Sequence, residues 1–359
     1  MEQILLWILA AGALLGGLDL LFGNRFGLGE QFEKGFQLLG PTALSMAGIL
    51  CLAPLLSHAL SATVAPIWRA VGLDPAMLGG ILAIDMGGFQ MASDLAADPA
   101  VGRFAGIVVS ATLGCSVSFT IPLGLGMIRS EDSDDFFRGL LIGLGVLPAA
   151  LFPGALLSGV PVLTAFIQLL PVTALSVFLM WGLRVFPKQT LKGFSVFAKG
   201  IRFLSILGLT IGAVQYISGT VLIPELAPLE DAMKIVSGIG IVLLGSLPAA
   251  ELLQRALNKP LYMLGSRLGL NDSSLAGLMI GFVSVTPALT MLKDMDSRGK
   301  TMNTAFLVCA ASALASHLGF TLSAERSMLT PLLFTKLVGG LLAAVLALIL
   351  TRPKQIASK

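Results

Sequence analysis

The sequence predicts an all-α polytopic membrane protein built as an inverted-topology repeat. Each unit has about four spans plus one re-entrant helical hairpin, and a single helix joins the units. Three observations carry this expectation. Of 359 residues, 55% are hydrophobic and only 12% charged, about half the charged fraction of a soluble domain, and the mean hydropathy is +0.91. Apolar segments of spanning length fill nearly the whole chain. The second half also repeats the first in a gap-free register. A net charge of +3, thinly spread, is too weak for a nucleic-acid surface, so no nucleic-acid partner is expected. Cys51, Cys115 and Cys309 are odd in number and share no paired spacing, which suggests neither a disulfide framework nor a metal site.

The apolar segments run at about 4–22, 38–60, 76–96, 102–128, 137–157, 160–183, 197–219, 235–256, 273–292, 301–322 and 330–350. Each is near the roughly 20 residues a helix needs to cross the hydrocarbon core. The start, Met1-Glu2-Gln3, has no basic region, so the first segment reads as a membrane helix rather than a cleaved signal. Little chain remains for a soluble catalytic domain. HExxH, P-loop, GxSxG and aspartate-rich phosphotransferase patterns are absent from the sequence, so no enzymatic role and no cofactor are expected.

An offset of 197 residues lays Gly72-Leu73 on Gly269-Leu270, Leu78 and Gly80 on Leu275 and Gly277, and Gly102-Arg103 on Gly299-Lys300. It also lays Phe137, Leu140, Gly143 and Leu144 on Phe334, Leu337, Gly340 and Leu341. Loops fall on loops, which gives a first unit at 1–157, a joining helix and basic connector at 158–196, and a second unit at 197–359. Basic residues cluster in 184–202, 255–267, 293–300 and the tail (Arg352, Lys354, Lys359), while 220–231 is acidic. The first four should therefore be cytoplasmic, including the C-terminus. Both flanks of 273–292 then lie on one side, so that segment must turn back. The hairpins are expected at about 66–97 and about 263–293. Pro287 breaks the second, and Gly87-Gly88 loosen the first. Hairpins of opposite entry are a transporter pattern.

A carboxylate at membrane depth is expensive and is a functional hypothesis by default. Asp85, beside two glycines at the expected first hairpin tip, is the leading candidate to bind a small organic cation, H⁺ or Na⁺; capping the second arm of the hairpin is the competing role. Gln90 and Asp94 share a face on the next arm, where Asp94 is equally well read as interfacial. Thr286 fills the corresponding tip in the second unit, as turn-bonding hydroxyl or substrate contact. Ser118 lies in the polar run Ser116–Pro122, where hydroxyls also simply pack helices. His317, ionisable and within a segment, is a hydrogen-bond donor or proton relay on one reading and a satisfied buried histidine on the other. Glu251 and Arg255 read as a neutralising i,i+4 pair.

Five stretches bear a family resemblance: Gln31–Phe36, Leu52-Ala53-Pro54 with His58, Asp85–Phe89, Met295–Lys300 and His317–Phe320. Together they resemble the ethanolamine permease of bacterial ethanolamine-utilisation operons, in order and over most of the chain. The resemblance implies ethanolamine as the substrate partner, uptake across the inner membrane, and supply of an ammonia-lyase. A protonated amino alcohol needs an anionic site, for which Asp85 is suited, and Phe89 could add a cation–π face. Gln90, Thr286, Ser118 or His317 could meet its hydroxyl. The lipid bilayer is the other expected partner, and a homo-oligomer is possible by analogy with elevator-like carriers. An ion-coupled carrier of another small polar solute, or a membrane sensor that binds ethanolamine without moving it, would carry the same features.

Overall fold

The computed structural model describes residues 2–82 and 85–351, without the side chains of Glu2, Leu261, Tyr262, Leu264, Ser266 and Arg267. The expected cytoplasmic tail with Arg352, Lys354 and Lys359 lies outside the described residues, as does the side chain of Arg267 and the pair Ala83-Ile84 before Asp85. Every regular element among the described residues is helical. Among the described residues, eight helices are long and apolar enough to cross a membrane, so the chain is a multi-pass membrane protein.

In chain order the helices are α1 (Glu2–Leu21), α2 (Leu28–Gln37), α3 (Leu39–Thr63), α4 (Ala65–Ala70), α5 (Ala76–Ile81) and α6 (Gly88–Leu95). A long helix α7 (Pro99–Met127) follows; its turns widen to π geometry over Phe104–Gly114 and Ser116–Thr120. Then come α8 (Ser133–Leu157), α9 (Val162–Val185), α10 (Pro187–Ser218), α11 (Leu229–Leu268), α12 (Asp272–Val283), α13 (Val285–Met291), α14 (Ser297–Ala310), α15 (Ser316–Ala324) and α16 (Leu329–Leu350). The basic stretch 184–202 and the stretch 255–267, expected as loops, are largely helical: α10 starts at Pro187, a favourable first-turn residue, and α11 runs on past Pro260 to a left-handed Gly269.

Lipid tails give helices no hydrophobic drive to associate, so close backbone approach at small residues supplies the packing. Gly12 of α1 sits against the carbonyl of Gly245 on α11, and Gly208 of α10 against the carbonyl of Gly48 on α3. Gly48 and Gly245 fall on each other in the 197-residue register. The crossing of α1 on α11 is thus repeated as the crossing of α10 on α3. The opposite faces of α1, α9 and α10 stay apolar and exposed, through Trp7, Leu163, Phe166, Trp181 and Phe203 among others, which suits a lipid surround. The centre is built from α7, α8, α14 and α16.

Two segments fold back on themselves. The Asp74 carboxylate, just before α5, accepts from the backbone N–H of Ala76 (2.9 Å), Ala97 (3.1 Å) and Asp98 (2.8 Å). It thereby ties the start of α5 to the end of α6. In the second half Asp296 Oδ2 accepts from Asn271 N–H (2.9 Å) and Ser274 Oγ–H (2.8 Å), and Asn271 Nδ2 donates to the Asp294 carbonyl (2.9 Å). This ties the start of α12 to the residues after α13. One carboxylate clasps each pair of ends, from the leading end in the first case and the trailing end in the second.

One expected span differs. The segment at about 301–322 is interrupted between α14 and α15. Helix α12 ends at the hairpin turn with unpaired last-turn carbonyls. Ser312 N–H donates to the Gly281 carbonyl (3.1 Å) and Leu314 N–H to that of Phe282 (3.0 Å). The unwound strand therefore satisfies the hairpin's end, and buried irregular backbone is tolerated only with such partners. Ser312 takes a left-handed φ of 57° to turn the chain there.

Candidate functional site

Asp85 begins the short turn that leads into α6, and it too is left-handed, with φ 53°. A non-glycine residue in that region needs a surrounding that holds it. The Ser110 hydroxyl, on the widened part of α7, donates to the Asp85 carbonyl. Gly88 packs so closely on the Gly79 carbonyl and Ser110 that no side chain would fit there. The backbone is pinned by these contacts, and the Asp85 side chain is left 24% exposed.

Its carboxylate faces His317 of the interrupted α14–α15 region. Asp85 Oδ1 and His317 Nε2 are 3.0 Å apart, and the imidazole is fully buried. The other ring nitrogen, Nδ1, lies 3.1 Å from the carbonyl of Ala311, in the unwound stretch. Two sequence-predicted residues, 232 positions apart, thus meet where a hairpin turn abuts a broken helix.

The structure adds a residue not singled out from the sequence. Lys336, in the middle of α16, is buried, and its ammonium donates to the carbonyls of Ala111 (2.7 Å) and Ala311 (2.8 Å). It bridges the widened helix α7 and the break after α14, placing a positive charge where two helix segments present carbonyls. The signal was available, because an ionisable residue inside an apolar span is a functional hypothesis. Cys115 also joins the group. Donor atoms of Asp85, Cys115 and His317 lie within 4.8 Å of one another, a proximity that the cysteine spacing could not reveal. The adjacent Lys336 ammonium opposes a divalent cation in that space.

The remaining predicted residues make other bonds. Gln90 Nε2 donates to Asp94 Oδ1 (2.7 Å), and Ser57 of α3 donates to Asp94 Oδ2 (3.0 Å); Gln90 and Asp94 are exposed. Ser118 bonds back to the Gly114 carbonyl (2.7 Å). Thr286 is exposed, one residue into α13. Phe89 stacks edge-on with Phe320, ring centres 6.0 Å apart, so the two aromatic rings flank the helices that carry Asp85 and His317. Glu251 and Arg255 pair at 2.8 Å as expected.

The family description "Ethanolamine utilisation protein, EutH" matches residues 1–350. A probable ethanolamine permease EutH of Listeria monocytogenes is 39% identical over 348 residues, covering 97% of this chain and 93% of that protein. The protein of the same name from Escherichia coli K12 is 35% identical, covering 93% and 88%. An uncharacterised Bacillus subtilis protein, YxeR, is 38% identical over 96% and 94%. No solved structure matches the chain. By the extent of these matches the chain belongs to the EutH family of ethanolamine utilisation proteins.

Proposed function

We propose that this chain takes up protonated ethanolamine across the bacterial inner membrane by alternating access. The permease names of its relatives support the transporter role in ethanolamine utilisation. The observation that carries the site is the partly exposed Asp85 carboxylate against the buried His317 imidazole at 3.0 Å. The ammonium of the substrate takes Asp85, beside the Phe89 ring. Its hydroxyl meets a neighbouring polar group, for which Thr286, Ser118, Gln90 and Asp94 are the further candidates.

The architecture we propose is an inverted repeat whose two clasped segments are re-entrant hairpins meeting near the midplane. The paired ends at Asp74 and Asp296 support the turn-back. The repeated glycine crossings of α1 on α11 and α10 on α3 support the repeat. The C-terminus lies in the cytoplasm on this reading.

Uptake of labelled ethanolamine into proteoliposomes at the same acidic pH inside and outside, wild type against Asp85→Asn, tests the function. Saturable wild-type uptake that the variant loses is expected. A wild type that binds ethanolamine but transports no faster than empty liposomes makes the protein a sensor. Equal transport by the variant reduces Asp85 to a structural cap.

A further inference from the structure

The hydrogen-bond inventory around His317 has a countable number of protons. The Ala311 carbonyl can only accept, so the Nδ1 that faces it at 3.1 Å carries a hydrogen. Nε2 and Asp85 Oδ1 then face each other at 3.0 Å. Two lone pairs at that separation repel, so one proton lies between them, on the imidazole or on the carboxyl. The other ionisable groups that face the pair are Lys336 from α16 and Cys115 from α7. Lys336 is committed to the carbonyls of Ala111 and Ala311, and the Cys115 thiol lies 3.7 Å from the Thr120 hydroxyl. Neither supplies the bridging proton.

Resting on the proposed carrier function, we infer that the Asp85–His317 pair binds a second substrate, the proton, and exchanges it one for one with the organic cation. A primary ammonium at Asp85 brings its own N–H donors, which satisfy both the carboxylate and Nε2. The bridging proton is then surplus and leaves to the water on the side from which the amine entered. The balance is R–NH₃⁺ plus the protonated pair giving R–NH₃⁺ held by Asp85 carboxylate and neutral His317, plus H⁺. No bond of the amine is broken and no electron moves. On the other side, release of the amine leaves Nε2 and Oδ1 facing each other again, and a proton from that compartment restores the bridge. The loaded and empty carriers bear the amine or the proton, never neither, so the cycle moves no net charge.

The count is measured directly by calorimetric titration of the intact wild-type protein with ethanolamine. Two buffers of different ionisation enthalpy are used at mildly acidic pH, where an aliphatic amine titrating near roughly pH 10 is fully protonated. One proton released per ethanolamine bound is expected. Zero protons released with binding intact overturns the exchange while leaving the carrier reading in place; no binding at all removes both. In His317→Gln binding should weaken, because Nε2 is one of the ammonium's partners, and the protons released per ethanolamine still bound should fall to none. Should that variant not fold, a potential-jump measurement on wild-type proteoliposomes serves instead. An inside-negative potassium-diffusion potential drives an uncoupled monovalent cation roughly tenfold or more. It should leave labelled uptake by the exchanger unchanged, and a potential-driven rise overturns the inference.

Discussion

Replacing Lys336 by methionine isolates what the buried ammonium does for the fold. The side chain keeps its length, so little cavity forms, but both bonds to the carbonyls of Ala111 and Ala311 are lost. Bonds to a charged donor are worth about 1.5–3 kcal/mol each, so the gross loss is about 3–6 kcal/mol. Opposing this, the variant no longer holds a desolvated ammonium, a burden of several kcal/mol. The Ala311 carbonyl also keeps its second donor, His317 Nδ1. A net destabilisation of about 1–3 kcal/mol results. Lys336→Ala adds the cavity term of a deleted long side chain, about 2 kcal/mol or more beyond the methionine variant. Thermal unfolding of the detergent-purified protein, followed by tryptophan fluorescence, gives the order wild type, methionine, alanine. A methionine variant as stable as wild type would refute the reasoning. It would mean that Lys336 is retained for transport alone and that the two helix breaks hold without it.

Three other outcomes are expected. Gly48→Val should destabilise by about 3 kcal/mol, the upper end for overpacking, because its Cβ would overlap the Ser205 carbonyl; the melting temperature of the variant measures it. Gly40→Ala is the matched control: its methyl meets open space and should raise stability by about 0.5–1 kcal/mol through helix propensity. For Asp296, burial alone would raise the carboxyl, but bonds from Asn271, Gly299 and Ser274 outweigh it and hold it below its usual value of 3.8. A folded-state value that is depressed contributes stability above the unfolded value and loses it as pH falls through the folded one. Acid unfolding of wild type should therefore steepen below about pH 4, and Asp296→Asn should flatten that limb, as read from melting temperatures at successive pH values.

The all-helical, multi-pass character and an interruption close to Asp85 were legible because spanning length and glycine are local signals; the second interruption falls at Ser284, three residues before Pro287, which lies within the first turn of α13. The clasps were not. Asp74 and Asp296 look like ordinary loop acids until the chain ends they tie together, 97–98 and 271, are known. The break at Ala311–Ala315 was hidden for a different reason. Alanine, serine and leucine give it no helix-breaking composition, and its conformation comes from pairing with the Gly281 and Phe282 carbonyls, a tertiary override of propensity. Asp85 and His317 could each be chosen as an ionisable group in an apolar run. Their pairing, and the company of Lys336 and Cys115, depends on two non-local breaks meeting. The hydroxyls Ser118 and Thr286 illustrate the converse. Position in a polar stretch is weak information, since Ser118 spends its hydroxyl on its own helix.

The candidate site is single, whereas the proposed scaffold is twofold. In the 197-residue register the counterparts of Asp85, His317 and Lys336 are Phe282, Thr120 and Gly139. The chain before residue 197 contributes the acid and the chain after it the two bases. On the proposed inverted repeat, an ancestor with identical halves would have carried two sites related by the twofold axis, with two neighbouring cations repelling one another. With an aromatic ring at 282 in place of a second acid, that repulsion is absent and one occupant is carried per turnover. Exchange of that occupant for a proton is also thermodynamically the same as passage of the uncharged amine. Such a carrier would hasten the equilibrium that bare lipid reaches slowly, and it would do so most where free base is scarce.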